Sequence, residues 1–140
     1  MTWLLDTNAW ISFFKPGNPA ITERISNCHE DDLVLCSIVK AELWHGAHKY
    51  ELRDQRLQLL SELFSRHRSL PFDDIAAWHY AEIRHELEAA GCVIGPNDLK
   101  IAAICRAHGV TLVTANTGEF SRVTGLAIEN WNGGPTPVSD

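Results

Sequence analysis

The order of apolar and polar positions along the chain predicts strands and helices in alternation. Thr2–Leu5 reads as a short buried strand ending at Asp6, and the apolar turn Ala9–Phe14 follows it as helix. Lys15-Pro16-Gly17-Asn18-Pro19 is a cluster of breakers, so the next helix begins after it and runs to about Cys28. Leu33–Cys36 is a compact apolar run suited to a strand covered on both faces, and Ser37 is expected to N-cap a helix reaching about His48. From 53 to 67, Leu57, Leu60, Leu63 and Phe64 recur at helical spacing among Arg53, Arg56, Glu62 and Arg66. Leu70-Pro71-Phe72 reads as a brief strand. Asp73 and Asp74 then open an amphipathic helix that ends at Gly91, a glycine suited to the position just past a helix end. Gly95-Pro96 opens another helix, with Pro96 at its first position, running to about His108 and closed by Gly109. Thr111–Thr114 and Leu126–Glu129 supply the last strands.

Short apolar strands separated by helices imply a parallel sheet covered on both faces, an α/β fold of three layers, α/β/α, around a central parallel sheet. With 140 residues the chain is long enough for one cored domain, assigned to 1–131, with a loose Gly- and Pro-rich tail over 132–140. No apolar run approaches the roughly 20 residues that span a bilayer. The start Met1-Thr2-Trp3-Leu4-Leu5-Asp6 lacks the basic stretch of a secretory signal, so a cytoplasmic protein with no membrane partner is expected. Cys28, Cys36, Cys92 and Cys105 form no C-x-x-C pair and are expected as buried free thiols rather than zinc ligands or disulfides.

In a parallel sheet, ligands sit outside the carboxyl ends of the strands. That is where acidic residues recur. Asp6 ends the first strand, Glu42 lies in the first turns of the helix after the second, and Asn116 follows the strand at 111–114 with Glu119 three residues on. Asp98 stands near the start of the helix opened by Pro96. Clustered carboxylates repel one another unless protons or cations neutralise them, and an all-oxygen set suits Mg²⁺ or Mn²⁺ rather than zinc. Each residue also has a plainer reading. Asp6 serves equally as an N-cap, Glu42 as an exposed helix residue, Asp98 as an acid at a favourable helix start, and Glu119 as a solvated turn residue. Their coincidence at one edge is what capping alone leaves unexplained. His45, three residues from Glu42, reads better as a surface or packing histidine than as a contact to substrate or bound water.

These residues carry a resemblance. Leu4-Leu5-Asp6-Thr7-Asn8, Val39-Lys40-Ala41-Glu42-Leu43-Trp44-His45-Gly46, Gly95-Pro96-Asn97-Asp98-Leu99-Lys100-Ile101-Ala102-Ala103 and Leu112-Val113-Thr114-Ala115-Asn116-Thr117-Gly118-Glu119-Phe120 occur in that order. Together they resemble the four motifs of PIN-domain ribonucleases, and most closely the VapC toxins of bacterial toxin–antitoxin pairs. The resemblance runs to Ile128-Glu129-Asn130-Trp131. It implies an acidic core of Asp6, Glu42 and Asp98 around Mg²⁺, with Asp6 and Asp98 as metal ligands. Where many PIN domains have aspartate, this chain has Asn116, so the resemblance implies Glu119 as the fourth carboxylate and a second cation held more weakly than the first. Thr7 and Asn8 resemble groups that support the acids or touch phosphate.

The function implied is a Mg²⁺-dependent endoribonuclease acting as the toxin of such a pair. Asp6 and Asp98 would hold the ion, Glu42 would orient or deprotonate the attacking water, and Glu119 would support a second ion or a metal-bound water. The resemblance further implies a cognate antitoxin, a homodimer, and a structured RNA such as a transfer RNA as substrate. The net charge of −6 opposes non-specific nucleic-acid binding, although two Mg²⁺ would leave −2, and the twelve Lys and Arg leave room for a local basic rim. Leu59 and Leu63 widen the apolar face of the 53–67 helix beyond a single core stripe, which suits a groove for an antitoxin segment or a second copy. One rival reading is a non-catalytic PIN-like module that binds RNA or protein. Another is a haloacid-dehalogenase-type phosphohydrolase with Asp6 as nucleophile, which wants aspartate where this chain has Asn8.

Overall fold

The computed structural model describes residues 1–133. The elements in chain order are β1 (Trp3–Leu5), α1 (Thr7–Phe14), α2 (Pro19–Ser26), a 3₁₀ turn (Glu30–Asp32), β2 (Leu33–Cys36), α3 (Ser37–His48) and α4 (Arg53–Arg66). There follow β3 (Ser69–Leu70), α5 (Asp74–Ala89), α6 (Pro96–His108), β4 (Thr111–Val113), α7 (Thr117–Phe120) and β5 (Ile128–Glu129). All strand pairs are parallel and the order across the sheet is β3-β2-β1-β4-β5, flanked by the helices as a three-layer α/β/α domain requires. The strands can be this apolar because both faces are covered. Every residue of β2 and of β4 is buried, and Leu4, Leu5, Val34, Leu35 and Leu112 have no exposed surface.

The helix boundaries have local causes. Pro19 and Pro96 occupy first-turn positions, where a missing N–H costs nothing. Asp73 caps α5 by accepting from the Ala76 N–H at 3.0 Å. Gly109 ends α6 with a left-handed φ of 64°, a conformation a Cβ would strain. Ser37 differs from expectation: it is the first helical residue of α3, and the cap position falls on Cys36, because β2 stays extended through that residue. The third strand also sits earlier than Leu70-Pro71-Phe72, at Ser69–Leu70, since Pro71 has no N–H to give a ladder. The last strand shortens to Ile128–Glu129.

The core is one cluster in which Trp10, Phe120, Ile83, Ile101 and Ile104 are among the largest fully buried side chains. Trp131 packs edge-on to Trp3 with centroids 5.6 Å apart, under the Arg24 guanidinium, and its indole N–H donates to Glu129 at 2.9 Å. Of the tail expected over 132–140, residues 134–140 lie outside the described residues. Asn132 donates its side-chain amide to Ser12 Oγ at 3.2 Å. Among the described residues no helix is long and apolar enough to cross a membrane.

Candidate active site

The strand order reverses at β1. From β1 the chain steps outward through β2 and β3, and it returns to place β4 on the other side of β1. The crevice outside the carboxyl ends of β1 and β4 is therefore the switch point at which parallel sheets bind ligands. Asp6 stands at the end of β1 and Thr114 at the end of β4, with the Asp6 N–H donating to the Val113 carbonyl at 3.0 Å. Helices that follow strands begin at this edge, which brings in Glu42 on α3. Because α6 leads into β4, it ends at the opposite edge and begins here, which brings in Asp98 as its third residue.

Asp6 is only 5% exposed, and its Oδ1 accepts from the Ala9 N–H at 2.8 Å. It is thus an N-cap of α1, as its plainer reading had it, and a member of the acidic group as well. Burial raises its carboxyl above the ordinary range; hydrogen bonds from the Thr114 hydroxyl and the Ala9 amide oppose the rise, and the charge of Glu42 adds to it. Asp98 is pushed up to about 6, first by burial and then by the charges of Asp6, Glu119 and Glu42. One carboxyl that feels the other three is the electrostatic mark of their convergence.

The remaining groups tie these acids together. Glu42 Oε1 accepts from the Thr7 hydroxyl, and its Oε2 accepts from the Asn97 side-chain amide at 3.2 Å. Glu119 Oε2 accepts from the Asn116 amide at 2.9 Å, and the Asn116 backbone N–H donates to Thr114 Oγ1 at 2.9 Å. Among the described residues, the side chain of Asn8 hydrogen-bonds none of the acids; it is exposed beside Thr7. His45 is exposed too. Asn97 and Thr114 were given no role from the sequence. Thr114 had left a signal, since a hydroxyl at the end of a fully buried strand must find a partner. Asn97 had left none beyond its place between Pro96 and Asp98.

The donor chemistry fits a hard divalent cation: it is oxygen only, and its like charges are close enough to disfavour ionisation of Asp98. Among the described residues no three His, Cys, Asp or Glu side chains already close on one point, so a cation would draw these carboxylates together. The cysteines offer no rival site. Burial pushes the Cys36 thiol up to about 11 and raises Cys105 well beyond its usual value, while Cys28 and Cys92 are half-buried rather than buried as expected.

Beside Glu42 lies a groove of about 600 Å³ between α1 and the α3–α4 pair, lined by Phe14, Leu43, Tyr50, Leu59 and Leu60 among others. Leu60 and Phe64 turn into the core, Leu57 and Leu63 pack against its margin, and Leu59 is 58% exposed. The widened face of α4 is therefore a real surface.

The PIN domain family matches residues 3–126. The chain is 36% identical over 132 residues to the tRNA(fMet)-specific endonuclease VapC of Shigella flexneri, covering 94% of this chain and 99% of that one. Among solved structures it is similar to the DNA-bound VapBC of Salmonella typhimurium, with a TM-score of 0.87 and 34% identity over 94% of this chain and 98% of that one. It is also similar to VapBC2 of Rickettsia felis bound to a promoter DNA fragment, with a TM-score of 0.83 and 33% identity over 94% and 99%. The chain belongs to the PIN-domain family, in its VapC branch.

Proposed function

We propose that this chain is a metal-dependent endoribonuclease, the toxin of a toxin–antitoxin pair, and that Asp6, Glu42, Asp98 and Glu119 form its catalytic edge. The observation that carries the reading is the bonding that ties the acids together at one edge of the sheet: Glu42 accepts from Thr7, next to Asp6, and from Asn97, next to Asp98. Mg²⁺ or Mn²⁺ held by Asp6 and Asp98 would supply neutralisation of the phosphate and acidification of water. The residues themselves do the rest. Asp6 is fixed by its cap bond and by Thr114, so its position costs no reorganisation during reaction. Glu42 takes the proton from the attacking water, and Thr7 holds it at the mouth of the crevice. Glu119 and Asn116 close the far side, where an amide in place of a carboxylate lowers the charge available to a second cation. The net charge of −6 does not preclude RNA, because the cations are not evenly spread: six of the twelve Lys and Arg fall on residues 37–68, against four Asp and Glu there.

A structured RNA such as a transfer RNA is the proposed substrate, and its choice is expected to rest on shape and single-stranded loops. The proposed partner is a small antitoxin whose apolar segment lies in the groove between α1 and α4, with a basic side chain reaching the acids and excluding the cation. A second copy of the chain is proposed as well, with the exposed Ile75, Trp78 and Val93 as apolar surface available to it. The compartment is the cytoplasm, where the antitoxin and RNA would both be met.

The test is Mg²⁺ binding followed by sequencing of the RNA ends produced by the purified chain, with Asp6→Asn and Asp98→Asn as controls. Wild type is expected to leave 5′-phosphate ends at defined positions, and both variants at least 100-fold fewer, in line with the ~10²–10³-fold losses seen when a group that stabilises the transition state is removed. A variant that cuts at the wild-type rate removes these residues from the site. A wild type that binds RNA without cutting it establishes the binding-module alternative.

A further inference from the structure

We propose that Asn97 is a positioning residue for the hydrolytic reaction: its side-chain amide and the Thr7 hydroxyl grip opposite oxygens of Glu42 and fix that carboxylate between Asp6 at the end of β1 and Asp98 in the first turn of α6. The inference rests on the nuclease reading of the site. Glu42 has three rotatable bonds, and the terminal one, to the carboxylate, is broad and weakly restrained by its own rotamer preferences. One donor would leave the group free to swing about that bond. Two donors, one on each oxygen, remove the freedom: Thr7 on Oε1 and Asn97 on Oε2.

The donors come from different places. Thr7 is the first residue of α1 and directly follows Asp6, whereas Asn97 lies in the first turn of α6 and directly precedes Asp98. The bond from Asn97 to Glu42 joins residues 55 apart in sequence. It therefore links the start of α6 to α3 through Glu42, so that the acid is registered against both of its neighbours at once. A carboxylate only accepts, so the amide must present its NH₂ to it. Asn97 is itself exposed, and among the described residues its side-chain hydrogen bond goes to Glu42. Small errors in the placement of a catalytic group are costly, since misplacement by about 1 Å is enough for a loss of order 10²-fold.

The test has two arms. In the first, the side-chain amide resonances of Asn97 are followed by NMR in wild type, Glu42→Ala and Glu119→Gln. They are expected to shift in Glu42→Ala and to stay in place in Glu119→Gln; no shift in Glu42→Ala overturns the proposal. In the second, Asn97→Ala is expected to lower kcat on an RNA substrate about 10-fold, a part of the loss full misplacement would bring, with KM within about twofold and an unchanged melting temperature. An unchanged kcat overturns the proposal, as does a raised KM at constant kcat, which would mean that Asn97 touches RNA instead. Failure of wild type to cut any RNA would sink the nuclease reading, and the resonance arm would still judge the brace by itself.

Discussion

The two helical pairs that present acids to the site, α5–α6 and α3–α4, are built on opposite plans. α6 buries Leu99 and every residue from Ile101 to Cys105, and α5 packs on it with Ala76, Ile83 and Leu87 buried. Arg106 ties the pair to the loop beyond α7, donating to His79 Nδ1 at 3.0 Å, to the Thr124 carbonyl at 3.1 Å and to Glu82. By contrast α4 buries only Leu60 and Phe64, and its neighbours Leu52 and Tyr50 are 62% and 55% exposed at the lip of the groove. The difference teaches where the site is rigid and where it is receptive. Asp98 rides on a helix fixed by the core, while Glu42 faces a surface that a partner can enter.

The sharpest way to break the contrast is to shorten one aliphatic side chain in each pair. Ile104→Ala removes a fully buried side chain from α6 and is expected to cost about 2–5 kcal/mol, because the tightly packed pair cannot collapse into the space. Leu59→Ala on α4 should change stability by no more than about 0.5 kcal/mol. Urea denaturation of both variants decides it. Equal losses would mean that α4 is as firmly held as α6 and that the groove is a feature of the surface without consequence.

A smaller effect sharpens the receptive side. If an antitoxin segment lies in the groove, Leu59→Asp puts a charge against its apolar face and should weaken the complex by tenfold or more, about 1.4 kcal/mol. Binding of the co-expressed antitoxin measured by calorimetry is the readout, with the melting temperature of the isolated chain as a control for folding. An affinity equal to wild type would place the partner elsewhere.

Much of the fold was legible because its signals are local. Pro19 and Pro96 announce helix starts, Gly109 announces a helix end, and runs such as Leu33–Cys36 are too short and too apolar for anything but a buried strand. The order of the strands was not legible, since the reversal at β1 depends on packing between elements far apart in sequence. The acids were legible as candidates by their placement at strand ends, Asp6 above all. Asn97 and Thr114 were passed over because their work is to hold other side chains, and such partnerships span 55 residues in one case and a neighbouring strand in the other. The short helix α7 went unseen for a different reason: Thr117–Phe120 is four residues long, too few for a period to show. The thiols of Cys28 and Cys92 came out less buried than expected because both lie just past helix ends rather than under the sheet.

The smallest expected effect concerns the rigid side, where Asp98 pays for its position. Its carboxyl is raised from 3.8 in the unfolded chain to about 6 in the folded one. Below about pH 4 it is protonated in both states and burdens neither. Between about pH 4 and 6 the unfolded chain gives up this proton while the folded one keeps it, so stability falls as the pH rises across that window and stays at its lower level above it. The shift corresponds to about 3 kcal/mol at most, but partial exposure screens it, and a negative charge near the start of α6 is itself favourable by a few tenths. Asp98→Asn is therefore expected to stabilise the metal-free chain by about 1 kcal/mol at pH 7 and by nearly nothing at pH 4. Millimolar Mg²⁺ should reverse the order at pH 7, because wild type gains a ligand-linked increment that the variant cannot. Melting curves at the two pH values, with and without Mg²⁺, carry both halves of the comparison. A variant no more stable than wild type at pH 7 without metal would mean that neither burial nor the neighbouring carboxylates burden Asp98, and that it is an ordinary helix-start acid.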